Sequence, residues 1–484
     1  MRIISIIIAL LFAANAVAAD GLGYLIQLKN NRSLENFKVE MGRSGVQLND
    51  LKINNWVKLD ISEEEANGLA SRDDVALVEK NITFKIMTNF EVTEPALRAQ
   101  LQKLAEQEAL TDILTPREDN PEIPLAGNGG SGDDPLYSSQ WGMNDNKTKS
   151  AWSQSGTKGS ENVIVAVLDT GVDYTHEDLV DNMWRNPGEM GLDENGNQKA
   201  TNGIDDDNNG FVDDVVGWDF VTNDSKPYDL SVSGIQVLFG GNPGHGTHCA
   251  GNVAARGGNG KGIAGVANVQ IMAMRFLSEK GEGTLEGAVQ SIKYAVDNGA
   301  QILSNSWGSE GDGGAEESQA LRDAIQYSLD KGTLFVAAAG NGRQGAGYDN
   351  DSDSKPAYPA SYPFDNIVSV AALDNTDNLG AFSNWGRRTV HLGAPGVSVF
   401  STVPNNVYQD TVIDIPGLIT ATWDGTSMAA PHVSGAAALY LSKYPNADYR
   451  EMKDALLNSV TAIPAMNGKS VSNGKLNVLN LMAQ

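Results

Sequence analysis

Three short runs hold an aspartate, a histidine and a serine in settings suited to acyl transfer. They are VLDTGVDYTHEDL around Asp169, GHGTHCAG around His245 and GTSMAAPHVSG around Ser427. A serine hydroxyl attacks a carbonyl only when a base takes its proton, and an oriented imidazole serves as that base. A buried carboxylate holds the imidazole in one tautomer and stabilises the imidazolium. The roles follow: Ser427 is the nucleophile, His245 the general base and then acid, and Asp169 the orienting group. Asn341, in AAAGNG, can offer its amide to an oxyanion beside the Ser427 backbone N–H. Ser427 stands at the expected start of a small-residue helix running toward Leu439. Pro431, one turn in, leaves the Ser427 carbonyl without its helical partner. Alone, this stretch also reads as a capping serine on a buried alanine-rich helix; with the other two motifs it reads as chemistry.

These motifs resemble those of the subtilisin-like serine proteases, the subtilases, over about residues 135–480. The order aspartate, histidine, serine is the one known from subtilisin. The rival G-x-S-x-G pattern fails, because Gly425-Thr-Ser427 is followed by Met428 and Ala429. The resemblance implies an α/β fold, a three-layer parallel sheet flanked by helices. It implies that Ser304, Asn305, Ser306, Trp307 and Gly308 pair with an extended polypeptide substrate and wall the specificity pocket. Ala337 to Gly340, including Ala338, would form the opposite wall. For Trp307 a plain core position is an equal reading. The segment 20–87 resembles an inhibitor I9-like propeptide in its strand–helix–strand pattern and its VALVEKN ending. That likeness implies a small α+β domain that templates folding and plugs the cleft until removed. The expected product is a secreted serine endopeptidase made as an autoprocessed zymogen, monomeric, with its own propeptide as inhibitor. A non-catalytic binding protein on the same fold and a metallopeptidase are the alternatives.

Asp205-Asp-Asp207-Asn-Asn209-Gly-Phe-Val-Asp213 matches the first half of a calcium loop, with oxygens at alternate positions and then a glycine. Position twelve is Val216, so the loop is no complete EF-hand, and Asp213 or Asp214 would have to close it. A solvated acidic loop is the other reading. Similar insertions in bacterial subtilases support structural Ca²⁺; no organic cofactor is expected. His248 follows His245 by three, not by the four of the H-E-x-x-H zinc motif. His176 and His432 read as structural, and His391 is open. Cys249 lies one helical turn beyond His245 and reads as buried packing near the base, with mercury sensitivity as a consequence.

These groups must be positioned by the rest of a 484-residue chain with 52 glycines and a net charge of −26. That charge argues against nucleic acid or an anionic membrane as partner. Residues 1–19, with Arg2, an apolar run and Ala16-Val17-Ala18, read as a secretory signal. The single cysteine permits no internal disulfide. Strands are expected at Tyr24–Leu28, Trp56–Ile61 and Val75–Glu79, with a helix starting at Ser62. Leu97, Leu101, Leu104 and Ala105 share one face of a helix expected over Pro95–Leu114. The region 88–134 thus combines an amphipathic helix with a linker, and the mature chain is expected to begin between about 116 and 135. From 135 to 484, apolar strands at Val163–Leu168, Val269–Phe276, Ile302–Ser306, Leu334–Ala339 and Ile367–Leu373 alternate with helices at His245–Ala255, Leu285–Asn298 and Glu316–Lys331. A closing helix is expected at Asp448–Val460. Such a pattern implies a buried parallel sheet. The apolar loop Leu230–Pro243 either rims the cleft or packs.

Overall fold

The computed structural model describes residues 22–87, 92, 94–108, 121–124, 131–232, 234–309, 314–315 and 318–484. The expected signal at 1–19 and most of the expected processing linker lie outside the described residues. No described helix is long and apolar enough to cross a membrane.

The central sheet has nine strands. From one edge they are Thr461–Ala462, Gly474–Lys475, Leu392–Pro395, Ile367–Leu373, Leu334–Ala338, Ile302–Asn305, Ile164–Asp169, Gln270–Arg275 and Gly217–Asp219. All neighbouring pairs are parallel except the outermost, Thr461–Ala462 against Gly474–Lys475. The five sheet strands expected from sequence all form, with ends shifted by a few residues. Strand 164–169 runs one residue further and therefore contains Asp169. Near-continuous Val, Ile, Leu and Ala are what a strand covered on both faces requires. One face carries the helices His245–Ala254 and Thr426–Lys443, the other Leu285–Asp297 and Gln319–Asp330.

The helices begin where their caps stand. Thr284 accepts from Gly287 N, Ser318 from Leu321 N, and Asp448 with Glu451 forms a reciprocal capping box before Tyr449–Asn458. Ser318 therefore starts its helix later than the expected Glu316. Thr426–Lys443 continues through Pro431, whose ring cannot donate to Ser427.

Residues 22–80 form a four-stranded antiparallel sheet in the order Leu48–Asp50, Trp56–Leu59, Tyr24–Leu28, Val75–Lys80. Helices Asn31–Arg43 and Glu63–Ala70 cover one face around Ile26, Phe37, Met41, Val57 and Leu59. The first of these helices was missed in the sequence, although Asn30 caps it and Leu34, Phe37 and Met41 recur at helical spacing. The sheet docks on the other unit through helix N-termini. The Glu79 carboxylate accepts from Ser318 Oγ at 3.2 Å and from Gln319 N and Ala320 N at 3.0 Å. Asn81 accepts from Glu286 N at 3.0 Å. A carboxylate at a helix N-terminus satisfies orphan donors and opposes the dipole.

Asp219 and Arg275, on adjacent edge strands, form a buried pair at 2.6 Å, with 0% and 1% of their side chains exposed. Arg275 lies opposite Asp169 in the strand register. Replacing it by methionine leaves a buried carboxylate without its counter-charge, which costs about 3–5 kcal/mol. In a Ser427→Ala background, Arg275→Met is expected to lower the denaturant midpoint accordingly. A shift below about 1 kcal/mol would show that the pair does not hold this edge.

Candidate active site

Asp169 is the last residue of a central strand, and His245 is the first residue of a helix on one face of the sheet. The structure brings them into contact: His245 Nδ1 and Asp169 Oδ1 are 2.7 Å apart, and both side chains are fully buried. Glycine makes this approach possible. A Cβ on Gly246 would stand 2.0 Å from the Gly171 carbonyl oxygen and 3.2 Å from Asp169 Cβ.

Behind the pair lies a carboxylate that sequence reasoning did not single out. Asp229 is fully buried and accepts from Thr170 Oγ1 at 2.8 Å, Asn242 Nδ2 at 2.7 Å, and Thr247 N and Oγ1 at 2.8 and 2.7 Å. Burial pushes its pKa up to about 6, against the pull of those donors. Asn242 in turn accepts from Gly244 N and His245 N. One carboxylate thus ties the end of the Asp169 strand to the start of the His245 helix. The signal in sequence was only an Asp within an acidic stretch.

Ser427 is the second residue of its helix and is fully buried. The carbonyl that Pro431 frees is used: Ser427 O accepts from Ser306 Oγ at 2.9 Å and lies 3.6 Å from Cys249 Sγ. The hydroxyl itself donates to Ser306 O at 2.9 Å. His245 Nε2 has no hydrogen-bond partner among the described residues. Asn341 lies at the end of strand 334–338, and its Oδ1 accepts from Thr426 N and Oγ1, each at 2.9 Å. Those two bonds fix the amide plane beside the Ser427 backbone. Cys249 is buried behind the histidine, 3.9 Å from Nδ1, and burial raises its thiol well above the usual range.

The other expected residues separate into two groups. Ser306, Trp307 and Gly308 border a strand formed by Thr83–Ile86, which pairs antiparallel with Trp307–Gly308 on one side and Glu282–Thr284 on the other. Met87 N donates to Ser306 O at 3.2 Å. Gly308 leaves room for this residue, since a Cβ there would meet Met87 Cε at 2.2 Å. Trp307 takes the core position: fully buried, it meets Phe84 edge-on at 5.1 Å and Phe276 at 5.0 Å. Ser304 and Asn305 face inward instead. Ser304 Oγ accepts from Ser434 Oγ, and Asn305 Nδ2 donates to the Leu303 and Val336 carbonyls. Ala338 and Gly340 are buried at the neighbouring strand end, where Gly340 N donates to Thr426 Oγ1.

His248 makes no pair with His245. Its Nε2 meets the Val399 carbonyl, its Nδ1 meets Asn252, and its ring stacks on Trp423 at 4.1 Å. His176, His391 and His432 also bond to backbone, and burial lowers the pKa of all three, favouring the neutral ring.

The acidic loop is arranged differently from the expected ligand set. Asp205 accepts from Asn209 N and Gly210 N, and Asp213 accepts from Gly203 N, so both carboxylates close turns. Asp207 instead joins Glu189 and Asp214, with carboxylate oxygens all within 4.8 Å of one another. Asn209 bonds to Asp207 and Asp214 at the margin. Glu189 is fully buried with Oε2 unpartnered among the described residues. Burial and then the neighbouring carboxylates push Glu189 up to about 7, and burial pushes Asp214 up to about 6. Three crowded oxygens, one of them orphaned, fit a hard divalent cation. Glu189 was missed because it lies sixteen residues before the recognisable loop.

Comparison with known proteins shows the family and the fold. The family model described as "Subtilase family" matches residues 160–478. The thermophilic serine proteinase of Bacillus sp. (strain AK1) is 37% identical over 308 residues, covering 63% of this chain and 58% of that protein. Thermitase of Thermoactinomyces vulgaris is 35% identical over 312 residues, covering 64% of this chain and 85% of that protein. The crystal structure of fervidolysin from Fervidobacterium pennivorans, described as a keratinolytic enzyme related to subtilisin, aligns with a TM-score of 0.63 at 25% identity. It covers 96% of this chain and 61% of the other.

Gly246→Ala forces the His245 helix away from the Asp169 strand. A shift on the order of 1 Å in a reacting group costs about a hundredfold. The variant is expected to lose at least that much kcat/KM on a peptide substrate while its circular dichroism stays unchanged. Wild-type kcat/KM would show that the close approach does not matter.

Proposed function

The chain belongs to the subtilase family, and from that premise we propose that it is a secreted serine endopeptidase that cuts itself from an inactive precursor. The observation that carries the proposal is one shared acceptor. Ser306 O takes hydrogen bonds from both Met87 N and the Ser427 hydroxyl. Two hydrogen-bond lengths therefore bound the distance from the nucleophile to the Met87 peptide unit.

The first scissile bond is Met87–Thr88, well before the start expected from linker exposure. Rotation about the Ser427 Cα–Cβ bond turns the hydroxyl from Ser306 O toward His245 Nε2. Ser427 Oγ then adds to the Met87 carbonyl carbon as Nε2 takes its proton. Asp169 holds the other ring nitrogen and stabilises the imidazolium. Asn341 and the Ser427 N–H bind the oxyanion. His245 returns the proton to the Thr88 nitrogen, the peptide bond breaks, and an acyl-enzyme remains at Met87. Water, deprotonated by His245, releases it. Residues 22–87 act as the inhibitory propeptide: their last strand lies where an extended polypeptide would lie, and Glu79 and Asn81 hold them on two helix N-termini. Glu189, Asp207 and Asp214 would hold Ca²⁺, which would offset the crowding of their carboxylates beside Tyr294.

Ser427→Ala is expected to remain full-length after signal removal and to be inert toward fluorophosphonate labels, while wild type yields a chain beginning at Thr88. Asn341→Ala is expected to lower kcat about 10²–10³-fold, the range known from subtilisin itself. Self-cleavage by the Ser427→Ala chain would end the assignment, and full kcat in Asn341→Ala would remove that residue from the oxyanion site.

Calcium at 100 times its Kd is expected to stabilise the fold by about 2.7 kcal/mol. Chelation should lower the melting temperature of the Ser427→Ala protein, and Glu189→Gln should abolish most of the difference. An unchanged calcium increment in Glu189→Gln would place the ion elsewhere.

A further inference from the structure

The next described residues after Met87, 92 and 94–108, lie against the protein. Val92 N donates to Leu238 O at 3.0 Å, and the helix Pro95–Glu108 packs against the segment Gly234–Phe239. Leu101 is fully buried there, with Leu97 and Leu104 beside it on the same face. Arg98 donates to Val92 O at 2.9 Å and lies over the Phe239 ring at 5.0 Å. The 234–239 segment, with Ile235, Val237 and Leu238 buried, is backed by the hairpin Thr411–Ile415/Ile419–Thr422. Ile413, Ile415 and Leu418 of that hairpin join the same apolar cluster as Trp423, whose ring lies 6.3 Å from that of His245. The loop Leu230–Pro243 therefore packs, with Ile235, Val237 and Leu238 buried.

We propose that the 234–239 segment and the 411–422 hairpin form an apolar platform beyond the scissile bond, and that helix 95–108 occupies it as a second restraint, outlasting the first cut. The proposal rests on cleavage after Met87. That cut turns residues 22–87 into a separate molecule, which leaves at a rate set by its own affinity. Helix 95–108 stays covalently joined to the catalytic unit, so its hold is intramolecular, at the millimolar effective concentration typical of short tethers. Val92 is five residues past Met87, on the side where the leaving half of a substrate lies. A chain cut only after Met87 thus has an open acyl side and an obstructed leaving side. Short substrates enter; long ones compete with the protein's own helix.

The test compares species whose N-terminus is Thr88, prepared from wild type and from the triple variant Leu97→Ser/Leu101→Ser/Leu104→Ser. Each is assayed on a short peptide anilide, which has almost nothing beyond the scissile bond, and on a quenched peptide reaching eight residues beyond it. The ratio of long to short kcat/KM is expected to be at least tenfold lower in wild type than in the variant. Wild type should gain that factor once residues 88–130 are cleaved away. Ile413→Ser/Ile415→Ser on the platform should reproduce the helix variant, and an unchanged rate on the anilide shows that both variants are folded. Equal ratios in all forms overturn the proposal, as does wild type passing to a start beyond residue 108 with no Thr88 species. No cleavage of either peptide and no self-cutting would instead overturn the endopeptidase reading.

Discussion

The contact between a helix start and a strand end governs the rest of this structure. An imidazole and a carboxylate separated by more than seventy residues must meet within one hydrogen bond inside a dry interior. Gly246 leaves out a Cβ that would press into the Gly171 carbonyl and force the two backbones apart. Asp229 then binds both sides, reaching Thr170 beside the aspartate, Thr247 in the helix and, through Asn242, the first helical N–H groups. A buried carboxylate is costly without partners, and here four donors make it the tie between elements.

The serine is set by a comparable device. A proline inside a helix ordinarily costs about 3 kcal/mol because a carbonyl loses its donor. In this chain Ser306 Oγ supplies that donor from the neighbouring strand segment. The same residue's carbonyl accepts both the Ser427 hydroxyl and the Met87 peptide N–H. A break in helical bonding, a strand end and an incoming chain therefore share one residue, and none of them can shift alone.

Closure of the cleft follows from the same economy of backbone groups. Trp307–Gly308 and Glu282–Thr284 would be unpaired strand edges if left open, and such edges seek a partner. Thr83–Ile86 satisfies both at once. The pairing is carried by main chain, so it places no demand on sequence, and side chains such as Phe84 against Trp307 add the discrimination.

The sequence by itself determined the chemistry and the class of fold. The Asp169, His245 and Ser427 motifs, the parallel-sheet pattern and the consequence of Pro431 for the Ser427 carbonyl were all legible, because they depend on local residue types and short periodicities. So was the buried face of helix 95–108. Tertiary structure alone decided which oxygens gather at the acidic loop: Asp205 and Asp213 spend theirs on nearby backbone, while Glu189 arrives from a separate turn. It alone revealed Asp229, whose importance lies in partners distant in the chain. It also brought Met87 N to the carbonyl that the Ser427 hydroxyl bonds, since exposure of a linker says nothing about which peptide lies beside that hydroxyl. The division has one cause: local sequence sets what each group can do, and long-range packing sets which groups meet.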